Sequence, residues 1–105
     1  MGFNMQKLMK QAQKMQSDML RVQEELKDKT VEGASGGGMI TVIANGKQEV
    51  LSIKINPEVV DPDDVEMLED LLLAAVKDAI RLSQEMAAAE VQKVTGGAGL
   101  PPGMF

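Results

Sequence analysis

Met39-Ile-Thr-Val-Ile-Ala44 and Glu49-Val-Leu-Ser-Ile-Lys-Ile55 stand on either side of Asn45-Gly46-Lys47-Gln48. Both runs are rich in β-branched residues. Asn-Gly is the strongest short hairpin signal, because both central positions of a type I′ turn require φ > 0. A two-residue turn places Ala44 opposite Lys47 and Ile40 opposite Leu51. One sheet face then carries Ile40, Val42, Leu51, Ile53 and Ile55, and the other carries Met39, Ile43 and Val50 among Thr41, Ser52 and Lys54. Both faces are partly apolar, so each is a candidate for cover. Thr30 to Gly33 is a candidate third strand. Gly33-Ala-Ser-Gly-Gly-Gly38 lacks the Gly-Lys-Ser/Thr ending of a phosphate-binding loop and no helix follows it, so it reads as a turn between strands.

Long helices flank this hairpin. Residues 4 to 29 contain no Gly or Pro and are rich in Gln, Lys, Met, Glu and Leu, all good helix formers. Asn4 is the expected N-cap. Met5, Leu8, Ala12, Met15, Met19, Val22 and Leu26 step 3, 4, 3, 4, 3, 4, the narrow apolar seam of a helix that packs along another. The second helix is expected to open with Asp61 as N-cap and Pro62 at its first helical position, followed by Asp63, Asp64 and Glu66. Its apolar stripe (Val65, Leu68, Leu72, Ala75, Ala79, Leu82, Met86, Ala89) is widened by Leu71, Val76 and Ile80, so it is buried more broadly. The pattern ends near Thr95, before Gly96-Gly97. Residues 1–95 therefore read as a single α+β domain, and 96–105, Gly- and Pro-rich, as a flexible tail.

Composition narrows the chemistry. The 105 residues contain no His, Cys, Tyr or Trp. General acid–base catalysis near neutrality most often uses His, and nucleophilic catalysis needs a base beside Ser or Cys. Ser17, Ser35, Ser52 and Ser83 sit in no nucleophile-elbow pattern. No catalytic residue, metal site or cofactor is assigned. No apolar run approaches the roughly 20 residues of a transmembrane helix, and MGFNMQKLMK lacks the apolar core of a signal peptide, so a cytoplasmic protein is expected.

Charge is unevenly divided. Residues 4 to 29 hold six basic and four acidic side chains, net +2; residues 30 to 60 are net −1 and residues 61 to 95 net −6, giving −5 in all. Lys7, Lys10, Lys14 and Arg21 lie away from the apolar seam, and Asp18 is the one acid between residues 4 and 21. Like charges at i+3 and i+4 repel by a few tenths of a kcal/mol each. Such a stripe suits a polyanion, yet it also suits a solvated helix face, and charge alone leaves both open. With only Phe3 and Phe105 as aromatics, base-stacking recognition of single strands is not expected; phosphate contact with duplex is. The acids from Asp61 to Asp70 complement the positive end of a helix dipole and need no metal.

Helices of about 36 and 50 Å overhang strands of about 20 Å, so the seams call for a second copy, with Met5, Leu8, Ala12, Met15, Met19, Val22 and Leu26 as the expected dimer interface. A protein-interaction or chaperone-like adaptor dimer fits the same helices without DNA. A monomer whose helices pair with each other is the plainer alternative.

Leu8-Met-Lys-Gln-Ala-Gln-Lys-Met15, Val50-Leu-Ser-Ile-Lys-Ile55 after the Asn45-Gly46 hairpin, Asp61-Pro-Asp-Asp-Val-Glu-Met-Leu-Glu-Asp-Leu71 and Leu100-Pro-Pro-Gly103 resemble the YbaB/EbfC family of small bacterial nucleoid-associated proteins. The likeness covers nearly the whole chain. It implies a helix–sheet–helix protomer, a tweezer-shaped homodimer in the cytoplasm, and binding to double-stranded DNA with modest sequence preference that affects nucleoid organisation and gene expression. By position it supports DNA contact by Lys7, Lys10, Lys14 and Arg21, with Lys77 and Arg81 after them. It supplies no catalytic residue.

Overall fold

The computed structural model describes residues 4–95. Helix α1 (Met5–Asp28) leads into strands β1 (Thr30–Ser35), β2 (Ile40–Asn45) and β3 (Val50–Ile55), and helix α2 (Val65–Thr95) follows. The strands form one antiparallel sheet in the order β1-β2-β3. This is the expected α+β arrangement with its third strand present. The tail over 96–105 and Phe3 lie outside the described residues.

The core is built where α2 crosses the sheet. Ile40, Val42 and Ala44 of β2 and Ala75 and Ala79 of α2 are fully buried, with Val31, Leu68, Leu71, Leu72 and Val76 packed around them. β2 is the middle strand, so its alternate residues bury on the helix side. Three polar contacts seat α2. Ser35 Oγ donates to the Leu71 carbonyl (2.6 Å), the Ala34 N–H donates to Asp78 Oδ2 (3.1 Å), and buried Ser83 Oγ donates to the Asn45 carbonyl (2.6 Å). The first two lie on β1, so α2 sits over β1 and β2 and leaves β3 bare. Every residue of β3 is exposed. The molecule is long and thin, 77 × 24 × 16 Å.

The hairpin departs from the expected two-residue turn. Ile40 lies opposite Ile55, not Leu51, and Ala44 opposite Val50, not Lys47, with Val42 opposite Ile53 between them. Gln48 N–H closes the turn on the Asn45 carbonyl (3.1 Å), and Asn45 N–H bonds the Glu49 carbonyl (3.0 Å). The loop is thus Gly46-Lys47-Gln48, and its left-handed residue is Gln48, φ 64°. Three-residue hairpins commonly place that conformation last in the loop, with a bulge beside it. A register shift between Ile43 and Ala44 supplies the bulge and leaves Leu51 without a partner directly opposite.

Two further expectations change. Asp61 does not cap α2. Its Oδ1 accepts from Asp63 N–H (2.9 Å) and its carbonyl from Asp64 N–H (3.0 Å), while Asp64 Oδ1 accepts from Met67 N–H (3.2 Å) as the N-cap does. Asp61-Pro62 therefore opens a turn before the helix, where Pro at the second position of the turn is equally well suited. The glycine segment also divides. Gly33 to Ser35 belong to β1, and only Gly36, Gly37 and Gly38, at φ 61°, 69° and 93°, make the connection.

Candidate nucleic-acid interface

Helix α1 is capped by Asn4, whose Oδ1 accepts from Lys7 N–H at 3.1 Å. All of residues 4 to 14 are exposed; burial begins only in the second half, and within α1 Val22 and Leu26 alone are fully buried. The apolar seam is therefore used in two ways. Its C-terminal members pack inside the protomer and Met15 and Met19 are half-buried, while Met5, Leu8 and Ala12 face water. No helix among the described residues is long and apolar enough to cross a membrane.

At about 100° per residue, Lys7, Lys10, Lys14 and Arg21 fall within about 60° of one another, their centre about 110° round the helix from that of Val22 and Leu26. The first three have no ion-pair partner among the described residues. Arg21 does: its Nη1 lies 3.1 Å from Asp18 Oδ1 and its Nε 3.7 Å from Glu25 Oε1. The structure thus separates Arg21 from the lysines, since its charge is answered twice. On α2, Lys77 is exposed and unpaired among the described residues, whereas Arg81 bonds Asp78 (2.7 Å) and Glu85 (3.0 Å). The Arg81 hydrogen bond, helped by Ala34 N–H, holds Asp78 below the usual carboxylate range, and the two acids in turn raise Arg81. A phosphate competing for Arg81 must break these bonds.

The base of the arm is tied at two points. Lys29 Nζ meets Glu90 Oε1 at 2.8 Å, and Lys93 reaches the same oxygen at 3.2 Å. Both bonds lower the Glu90 pKa, Lys29 the more. The second tie is the hairpin tip. Gly46 N–H bonds both the Leu26 carbonyl (2.8 Å) and the Lys29 carbonyl (3.0 Å), filling acceptors that the end of a helix leaves open. The sequence reading missed Gly46 as a docking residue, although the Asn-Gly pair was its clue. It also passed over Lys27, Lys47 and Lys54, exposed cations scattered over three elements with no shared face to reveal them.

The acids at the start of α2 are well separated from this arm. Val65 lies about 37 Å along the helix from Glu90, at 1.5 Å per residue. Charge is therefore segregated: exposed lysines on α1 at one end, and Asp61, Asp63, Asp64, Glu66, Glu69 and Asp70 at the other.

The protomer is a slender helix–sheet–helix unit that carries an exposed row of lysines on a net-acidic chain. The sequence profile of the YbaB/EbfC DNA-binding family matches residues 1–98. A nucleoid-associated protein of Acetivibrio thermocellus is 62% identical over 104 residues, covering 99% of this chain and 92% of the relative. One from Desulforamulus reducens is 62% identical over 105 residues, covering 100% and 99%. The fold matches that of an uncharacterized Helicobacter pylori protein of known crystal structure, with a TM-score of 0.77 at 23% identity, over 90% of this chain and all of the other. The chain belongs to the YbaB/EbfC DNA-binding family.

Proposed function

We propose that this chain is a nucleoid-associated protein of the bacterial cytoplasm that grips duplex DNA through the exposed half of α1, with Lys7, Lys10 and Lys14 on phosphates. Arg21, Lys77 and Arg81 are secondary contacts, in that their charges are shared or lie off the arm. The observation that carries this reading is that the three lysines have no ion-pair partner among the described residues and lie on the fully exposed first half of α1. A cationic row without acids costs helix stability and is best compensated by an external anion. Phosphate contacts position a protein without reading bases, which fits modest sequence preference and a role in organising DNA.

The reading includes a homodimer. Leu71 lies beside Gly36 at the end of β1, and at about 100° per residue Leu73, Val76 and Ile80 fall on the opposite flank of α2. Leu51, Ile53 and Ile55 of β3 and Leu73 of α2 are all exposed. An apolar shelf between a helix and an unpaired edge strand is self-complementary: the α2 flank of one copy covers β3 of the other. Two arms then project from one dimer. Met5, Leu8 and Ala12 remain free for a second contact between arms.

Mobility shifts on unrelated duplexes across a salt series test the proposal. Neutralising four to eight phosphates with two arms sets a slope of log K against log salt near −4 to −7. Unchanged affinity in the Lys7/Lys10/Lys14→Ala variant rejects α1 as the contact surface.

A further inference from the structure

We propose that the tip of the β2–β3 hairpin is the joint that aims α1, with Gly46 as the positioning residue. The inference rests on α1 being the DNA-contacting arm. The tip is held on both sides. Asn45 is buried and completely bonded: Nδ2 donates to Glu49 Oε1 (2.8 Å), Oδ1 accepts from Lys47 and Glu49 N–H (2.9 and 3.1 Å), and its carbonyl accepts from Ser83 of α2. The next residue docks α1. Gly46 N–H bridges the Leu26 and Lys29 carbonyls, and its Cα lies so near α1 that a Cβ there stands 2.9 Å from both Leu26 Cβ and the Leu26 carbonyl oxygen. Neither atom is a flexible chain end, so no rotamer change relieves the contact. The backbone of α1 is seated on a glycine whose neighbour is locked to α2.

The geometry makes this contact a lever. Restoring a 2.9 Å approach to about 3.5 Å displaces α1 at Leu26 by about 0.6 Å. Leu26 is about 6 Å along the axis from Thr30, where the arm joins the sheet, so the tilt is about 6°. Lys7 lies about 34 Å from Thr30 on the same scale and moves by about 3.5 Å. That equals the rise per nucleotide along one DNA strand, about 3.4 Å. A methyl group at the base thus shifts the lysine row by about one phosphate.

The test is Gly46→Ala, in a chain that has no natural cysteine. Spin labels at Gln13→Cys on α1 and Ala74→Cys on α2, in labelled chain diluted into unlabelled, report the arm angle without DNA. Both positions are exposed. The expected result is a shift of about 2.5 Å in the mean distance, together with a salt slope reduced by about one for each arm. An unchanged distance overturns the joint. A shifted distance with an unchanged salt slope overturns its role in aiming, and the triple-lysine variant, measured in parallel, then separates this failure from failure of the arm itself. Should Gly46→Ala not fold, Leu26→Val shortens the opposite side of the contact. It is expected to broaden the distance distribution, and a distribution as narrow as that of the unaltered chain overturns the proposal.

Discussion

Gly33 occupies a position where a side chain has no room. A Cβ there falls 2.7 Å from the Ala75 carbonyl oxygen and 2.7 Å from Ala79 Cα, both main-chain atoms of α2. The closeness lets β1 bond α2 through Ala34 and Ser35, and it explains why Ala75 and Ala79 are the small residues facing the strand. Gly33→Ala must push the helix off the sheet, so a loss of about 3 kcal/mol or more is expected in urea unfolding, within the range for overpacking at a rigid site. The cap of α2 gives a finer test. Asp64→Ala removes the side-chain acceptor of the Met67 N–H and is expected to cost about 1 kcal/mol, whereas Asp61→Ala, which loosens only the preceding turn, costs less. The reverse order in thermal or urea unfolding would restore Asp61 as the cap.

At the scale of elements, α1 trades stability for charge. Its first turn holds no acid to complement the helix dipole, and Lys7, Lys10 and Lys14 repel at i+3 and i+4. Lys10→Glu converts both repulsions into attractions, so helicity by circular dichroism rises while duplex affinity falls. Opposite signs are the diagnostic, since a solvated face with no ligand predicts the first change alone. The ties of α1 and β1 to α2 respond to acid. Glu90 and Asp78 both have lowered pKa values in the fold, through Lys29 and Arg81 respectively. Each therefore contributes fully above the ordinary carboxylate range near pH 4 and loses its contribution as pH falls through the lowered value. Unfolding followed from pH 6 to 2 is expected to steepen below about pH 4, and Glu90→Gln to flatten part of that limb. Both helices and both principal strands were legible in the sequence, because they rest on unbroken periodicity and on Gly and Pro punctuation. The register was not. A type I′ turn and a three-residue loop with a bulge share the Asn-Gly signal, and the choice between them came from α1 pressing on Gly46, a contact 20 residues distant in sequence from Leu26. The split of the apolar seam was hidden for the same reason: Val22 and Leu26 look like Met5 and Leu8 until the hairpin tip and α2 cover one pair and not the other. The lysine row was legible; that Arg21 is doubly paired also follows from Asp18 and Glu25 at helical spacing.

At the scale of the whole molecule, β3 is the element that lacks cover. A three-stranded sheet with one helix across two strands leaves Leu51, Ile53 and Ile55 in water, and β3 presents unpaired main-chain groups along its edge. A second copy resolves both, burying the shelf and pairing or shielding the edge. It would also reconcile DNA binding with a net charge of −5: a second protomer would double the lysine rows while the acidic starts of α2 stay about 37 Å along the helix from the arm joints, so a duplex would be drawn to the arms and turned away from the sheet. Ile53→Lys places a charge in the middle of the shelf, at an exposed position across the strand pair from the core residue Val42. The protomer is expected to keep its circular dichroism but to sediment as a monomer, whereas the unaltered chain is expected to sediment as a dimer. Losing the second arm halves the salt slope, to about −2 to −3.5, and lowers duplex affinity by about 10²- to 10⁴-fold through lost bivalency. A dimer that survives Ile53→Lys moves the interface to the exposed end of the α1 seam, Met5, Leu8 and Ala12, and the arms then meet each other before they meet DNA.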